Sequence, residues 1–562
     1  LNGEWDFATD PSGTGFERGW PDGKQNVEYR LKVPGVWQPQ GAGAPCDHLR
    51  HHDVGWGWYR KEIEAPELRG KRLWLEVGGA ATLTRVFLNG RELGQHEGFS
   101  TPFRFEATAA ARPGRNLLVL AVSNLSRTGR VLPPGRHAFE DPTGCFNYLA
   151  AWGGIHGRVF LETTGPSRIA NYAIVPRPAR SQVLVAVQVE PPLAGSRVRG
   201  TDILLNGRPY YLNGYGDDAV EVFDGVQPAN KEICRRRLRM MKACGFNAVR
   251  HHSWVPTPEY FEAADEEGVL VQIELPIAYH NHLLPSLDFF RRDMGNIIRA
   301  HRNHPSLLAV AVGNEFFHHW YPVARGIAFG RAVEGLVAEA RRHFATGLVL
   351  SNSGEHLSPG DVDCIPAGRV SPLRKPVIGH EVGDYCCSLP DIYALDRLRK
   401  GLLRHAMLER KAEWVARSGW QALYPQILKN SQRLRHRKRK QTIEWARAHC
   451  SNCSGYYYWL GTDFPEGAEG DSWYRGVVDF FWQPKGFTPE EMRTFNGRTV
   501  LALDGFEFYS AWDDEGLRMD LTVSHYGRED IRRGRLNWWI TGAGGRERTA
   551  VGVSRAPLRA GA

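Results

Sequence analysis

The sequence predicts a multidomain protein. It comprises an N-terminal β-sandwich of jelly-roll type over 1–165, a short immunoglobulin-like β piece over 166–200, a (β/α)8 TIM barrel over 201–497, and the start of a C-terminal β-sandwich over 498–562. Three observations carry this reading: short apolar stretches between turn dipeptides at the start, strands alternating with helical stretches in the middle, and a return to two-residue alternation at the end. At 562 residues the chain is too long for one ordinary domain.

In the first region Leu73-Trp74-Leu75-Glu76-Val77, Arg85-Val86-Phe87-Leu88 and the run 117–122 read as strands, with Asn89-Gly90 and Pro113-Gly114 as turns. Nothing there forms a catalytic constellation, so a binding or packing role is expected. The next piece has its best strand at 183–189 and spans about 30 residues, where a complete immunoglobulin-like sandwich needs ~100; it is either vestigial or incomplete. From about residue 202 the barrel strands are expected near 203–212, 247–250, 269–273, 307–315, 348–350, 362–365, 376–379 and 455–459, with a helix over 230–244. The stretch 517–523 alternates as a further strand.

The fourth of these strands, Leu307-Leu308-Ala309-Val310-Ala311-Val312-Gly313-Asn314-Glu315, is apolar throughout and ends on an amide and a carboxyl group. Such a run is expected of a strand buried on both faces. The seventh ends similarly in Gly379-His380-Glu381. Barrel chemistry sits at the C-terminal ends of the strands, so Glu315 and Glu381 are expected to share one mouth. Two facing carboxyl groups can cleave a glycosidic bond, one protonating the departing oxygen and the other attacking the anomeric carbon. An isolated Asn-Glu pair would more simply be a solvated helix start.

The order of these regions, with Leu205-Asn206-Gly207-Arg208-Pro209-Tyr210, Gly245-Phe246-Asn247-Ala248-Val249-Arg250, Arg302-Asn303-His304-Pro305-Ser306, Gly313-Asn314-Glu315 and Gly379-His380-Glu381, resembles glycoside hydrolase family 2. That family includes β-galactosidases, β-glucuronidases and β-mannosidases. The resemblance implies a retaining, exo-acting glycosidase with Glu315 as acid/base and Glu381 as nucleophile. The acid must be protonated at rest and the nucleophile ionised. Arg250 could hold Glu381 ionised; its plain alternative is an ordinary ion pair. Asn314 is expected to bind the sugar 2-hydroxyl, and Trp459 to form an aromatic floor under the sugar or else simply to pack. His252, rather than His251, is the expected histidine ligand of the sugar, with mere packing as the alternative.

No organic cofactor is expected. Family β-galactosidases build a magnesium site partly from a Glu after the third strand and a His two residues later; Glu274 fits the first position but Pro276 stands at the second, so the site is incomplete. The Asn-x-Lys element of the β-glucuronidases is not found where 477–482 stands. A galactoside or uronide is the leading substrate expectation, and a non-catalytic carbohydrate-binding protein on the same scaffold is the rival.

The net charge of +9 is local. Residues 396–440 hold 14 Lys and Arg against 3 Asp and Glu, so the remainder is near neutral. The run 433–440, on a helix expected over 431–449, reads as a solvated face, as a surface for an acidic oligosaccharide, or least of all as a nucleic-acid site. Leu434, Ile443, Trp445 and Ala446 are expected to be that helix's apolar side. Nine Cys argue against a disulfide scaffold, and the lone pair Cys450 and Cys453 is too few for structural zinc. No run of 18 apolar residues could span a membrane. The chain opens on Leu1-Asn2-Gly3 without a leader-like segment, so a soluble protein of periplasmic, secreted or cytoplasmic location is expected.

Overall fold

The computed structural model describes residues 1–45, 49–51, 53–125, 152–165, 172–177, 182–187, 197–199, 202–205, 208–218, 221–277, 283–284, 286–316, 323–344, 347–354, 360–367, 375–383, 387–450, 453–464, 474–504, 520–527, 529–541 and 548–558. In the N-terminal region, strands Gly3–Asp10, Tyr29–Val33, Trp56–Ala65, Leu83–Leu88, Arg91–Glu97 and Gly114–Ser123 make one antiparallel sheet. Arg72–Val77, Phe103–Glu106 and Val159–Thr164 make a second. In Arg72–Val77 every other residue is buried, which is how a half-buried strand contributes to a sandwich core. Trp5, Phe7, Tyr59, Leu75, Val86 and Leu120 fill that core.

The expected barrel is present as eight parallel strands: Leu212–Asp217, Ala248–His251, Leu270–Glu274, Leu307–Ala311, Leu348–Leu350, Asp363–Pro366, Val377–Val382 and Cys453–Tyr458. Seven neighbouring pairs are parallel ladders, and the gap between the fifth and sixth strands is bridged at Ser353–Cys364. The third and fourth strands are buried at every position, the condition that made them legible as apolar runs. The helix Lys231–Ala243 starts at Asn230, whose side chain accepts from the Glu232 and Ile233 N–H groups and so satisfies two otherwise orphaned donors.

One strand differs from expectation. Asp202–Leu205 pairs antiparallel with Arg197–Arg199 and with Arg208–Pro209, and the first barrel strand begins only at Leu212. That strand, Leu-Asn-Gly-Tyr-Gly-Asp, is poor in apolar residues because two of its positions must be bare. A Cβ on Gly214 would lie 2.3 Å from the Tyr457 ring, and one on Gly216 2.3 Å from the Trp459 ring. Strands Tyr172–Arg177 and Gln182–Val187 form a hairpin before the barrel. After it, Thr499–Asp504 pairs with Asp520–His525, and Ile531–Thr541 with Arg548–Leu558. Val500 and Ala502 are buried with the barrel core.

The basic run lies on the helix Tyr424–His449, inserted between the seventh and eighth strands. It is not a uniformly solvated face. Arg435 donates to the Tyr458 hydroxyl at 2.5 Å, Arg439 to the Gly476 carbonyl at 3.0 Å, and His436 stacks on Phe487. Arg433 and Arg437 point outward. Of the four expected apolar residues, Ile443 and Ala446 are buried whereas Leu434 and Trp445 are exposed, because the inward stripe is shared with long cationic side chains such as Arg439, whose guanidinium lies over the Tyr458 and Phe487 rings. Arg447 joins the barrel to the tail, donating to Asn213 Oδ1 at 3.0 Å, the Gly497 carbonyl at 3.2 Å and Ser524 Oγ at 3.0 Å. Arg447→Ala strands those buried acceptors and is expected to cost about 2–4 kcal/mol, whereas Arg437→Ala should stay within about 0.5 kcal/mol of the parent. Urea unfolding of both variants checks this, and equal losses would count against a structural role for the inward arginines.

Candidate active site

Four strand ends meet at one guanidinium. Arg250, at the end of the second strand, has no exposed surface. Its Nε donates to Glu274 Oε1 at 2.6 Å, one terminal nitrogen to Glu381 Oε1 at 2.9 Å, and the other to Asn314 Oδ1 at 2.6 Å and Glu274 Oε2 at 3.3 Å. Glu274 Oε2 also accepts the Ser253 N–H at 2.8 Å. A buried charge is tolerable only with such pairing, and the planar fork suits two carboxylates and an amide at once.

Glu315 and Glu381 come together as expected. One oxygen of each, together with a ring nitrogen of His380, lies within 4.8 Å of the other two atoms. The backbone places them with effort: φ is +48° at Glu315 and +45° at Glu381, a region that non-glycine residues rarely occupy and that costs about 1–3 kcal/mol each. Neighbouring strands enforce it. The Asn314 N–H donates to the Ile277 carbonyl at 2.9 Å, the Glu315 N–H to the Ser353 carbonyl at 2.6 Å, and the Ser353 N–H to the Gly313 carbonyl at 3.0 Å. Gly354 lies against this carboxyl, since a Cβ there would sit 2.8 Å from Glu315 Cγ.

His380 is the feature that motif reading passed over. Its Nε2 lies 3.4 Å from Glu315 Oε1 and 3.5 Å from Glu381 Oε1, and its Nδ1 lies 3.8 Å from Cys364 Sγ. Burial alone would push the Glu381 carboxyl up, but the charges of His380, Arg250 and His252 more than offset it and hold it down at about 2. Burial would lower the His380 imidazole, and the Glu381 carboxylate overrides that to raise it to about 10. The available signal was position: in a strand, a residue adjacent to a mouth-facing carboxyl still lies at the mouth.

Asn314 is held at both ends of its amide. Its Oδ1 takes Arg250, and its Nδ2 is 2.8 Å from His252 Nε2. His252 Nδ1 lies 2.8 Å from Asp218 Oδ1, so a chain runs from Asp218 through His252 to Asn314. Burial works against a charged His252, and the Asp218 charge prevails to raise it. His252 also meets the Trp459 ring edge to face at 5.2 Å, and Arg250 lies 5.6 Å from that ring. His251 instead packs edge to face on Tyr260, where burial keeps it low, at about 4. Asp218, like His380, was absent from the sequence expectations because it acts through the fold.

Glu315, His380 and Glu381 have the spacing of a three-ligand metal cluster, yet Arg250 already donates to Glu381 there. Glu274, the candidate magnesium ligand, has both oxygens engaged by Arg250 and Ser253. The His380–Glu381 pair makes stability depend on pH. A raised imidazole stabilises in full below its unfolded value, about 6.5, and loses that contribution as pH rises toward about 10. The depressed carboxyl contributes above about 4.5 and loses it as pH falls toward about 2. The stability difference between the parent and His380→Gln is therefore expected to be constant near pH 6 and to shrink between about 6.5 and 10. Urea titrations across that range measure it, and a flat difference would oppose the charged pairing.

Comparison with known proteins bears on this geometry. The profile described as "Glycosyl hydrolases family 2, sugar binding domain" matches residues 1–162, and "Glycosyl hydrolases family 2, TIM barrel domain" matches 196–357, a segment that includes Glu315 and stops before Glu381. A β-glucuronidase of Paenibacillus borealis is 23% identical over 404 residues, covering 56% of this chain and 67% of that protein. A β-galactosidase of Thermoanaerobacter pseudethanolicus is 26% identical over 194 residues, 34% of this chain and 24% of that one. The solved β-glucuronidase from Ruminococcus gnavus in complex with D-glucuronic acid superposes with a TM-score of 0.64 at 19% identity, covering 88% of this chain and 96% of that one, a likeness of fold. With two profiles of one family matching, in order, the sandwich and the barrel that carries Arg250, Asn314 and Glu315, the chain belongs to glycoside hydrolase family 2.

Proposed function

We propose that the protein is a retaining, exo-acting β-glycosidase that hydrolyses terminal glycosides, with a galactoside or uronide as its sugar. The observation that carries this reading is the close approach of Glu315 and Glu381, with oxygens within 4.8 Å. Retaining enzymes hold their carboxyl groups about 5–5.5 Å apart, whereas inverting enzymes leave ~6.5–9.5 Å for a water. Glu381, kept ionised by Arg250 and His380, attacks the anomeric carbon while Glu315 gives its proton to the departing oxygen. Glu315 then takes a proton from a water that attacks the glycosyl-enzyme, which frees Glu381 and releases the sugar with its configuration retained. In this scheme Asn314, held by Arg250 and His252, bonds the 2-hydroxyl, and Trp459 floors the sugar.

The scheme calls on no metal, and in it Glu274 serves to hold Arg250 and the Ser253 N–H. The named relatives act on glucuronides and galactosides, which supports that pair of sugar classes. A panel of aryl β-galactoside, β-glucuronide, β-galacturonide, β-mannoside and α-L-arabinoside identifies the sugar, and proton NMR reads the first-formed anomer. Glu381→Gln is expected to abolish turnover of every substrate. Glu315→Gln should cost about 10²–10⁴-fold on poor leaving groups and little on activated aryl glycosides. Equal loss on the activated substrate, or an inverted product, would defeat these roles.

A further inference from the structure

The insertion after the seventh strand meets the N-terminal sandwich on the same rim of the barrel as Glu315 and Glu381. Leu49 bridges antiparallel to Leu403, the Arg50 N–H donates to the Leu402 carbonyl at 3.1 Å, and the Leu402 N–H donates to the Val222 carbonyl, beyond the end of the first strand, at 3.1 Å. Beside this junction opens a cleft of about 530 Å³ whose polar lining is Arg50, His51, Arg399, Arg404, His405 and Glu409.

Three guanidinium groups face one carboxylate. Arg399 is engaged by Glu409 at 3.2 Å and Asp396 at 3.4 Å, while Arg404 is exposed. Arg50 Nε and His405 Nε2 are buried atoms, and among the described residues neither has a hydrogen-bond partner. His405 is only 4% exposed, and burial holds its imidazole low, so it enters the cleft neutral, with one N–H to give. The helix Ala406–Arg417 also starts here, and its N-cap, His405, makes no side-chain cap, so the positive end of the helix dipole faces the cleft. Arg50, Arg399 and Arg404 bring donors and positive charge, Glu409 is the one carboxylate of the lining, and the buried Arg50 Nε and His405 Nε2 have no hydrogen-bond partner among the described residues.

We propose that this cleft is a second binding site, an anion subsite for an oxyanion carried on a glycan, either a uronate carboxylate or a sulfate ester. Its size exceeds what a bare inorganic anion needs and falls in the range of roughly 300–1,000 Å³ that holds sugar-sized ligands. It lies by the segment that follows the first barrel strand, and so on the face of the barrel that carries the carboxyl pair. The glycan part of the assignment rests on the glycosidase reading; the anion part stands on the cleft alone.

The test is calorimetric titration of the full-length Glu381→Gln protein, with and without Arg404→Glu, using uronate-bearing, sulfated and neutral oligosaccharides of equal length at one ionic strength. One or both anionic ligands are expected to bind about tenfold more tightly than the neutral one, and the Arg404→Glu change to remove that advantage. The responding arm names the anion. Equal affinity for charged and neutral ligands, or indifference to Arg404→Glu, overturns the proposal. In the active background, Arg404→Glu should leave kcat/KM for a small neutral aryl glycoside unchanged. Normal turnover without the anion preference sinks the subsite alone. An Arg404-dependent preference without any aryl glycoside turnover sinks the glycosidase reading and leaves the subsite.

Discussion

Everything at the barrel mouth depends on one buried cation. A guanidinium with no exposed surface survives only if its donors are answered, and Arg250 answers to Glu274, Asn314 and Glu381 from three other strands. Each bond ties one strand end to the guanidinium, so the pairing that neutralises the charge also brings Glu274, Asn314 and Glu381 to one level. Lysine could not substitute, because a single ammonium lacks the planar fork that reaches two carboxylates and an amide in fixed directions. His380 completes the balance: two cations, Arg250 and His380, lie among Glu274 and Glu381, and Glu315 sits at the edge of that neutral cluster.

What could be read from the chain alone follows from what the fold buries. Strands three and four are covered on both faces and so declare themselves as apolar runs ending in functional residues. The first strand gave no such signal, since Gly214 and Gly216 exist to admit the rings of Tyr457 and Trp459 from the strand beside them. In the site, Glu315, Glu381, Arg250 and Asn314 were legible because their strand ends share one mouth. Asp218 was not, because its role rests on His252, 34 residues away and met only in space, whereas His380 was marked only by its place beside Glu381.

The basic segment shows how composition misleads about surfaces. A run of cations reads as one charged face, yet the helical period sends Arg435, Arg439 and Arg447 inward and leaves Arg433 and Arg437 outside. Inward arginines here act as long apolar stems with donors at their tips, tying the helix to Tyr458, Gly476 and the tail strands. The cationic surplus of this insertion is thus divided between internal fastening and the cleft lined by Arg399 and Arg404.

The single bridge at Ser353–Cys364 separates the two carboxyl groups mechanically. Glu381 belongs to a strand laddered on both sides, by Asp363–Pro366 and by Cys453–Tyr458. Glu315 hangs from Ser353 and lies against Gly354, beside the one place where the barrel wall is joined by a bridge instead of a ladder. Local opening begins where backbone pairing is sparsest. Under the proposed roles, the acid is the group set beside the sparsest pairing in the wall, where it could follow leaving groups of different shape, while the nucleophile stands in a strand flanked by two ladders.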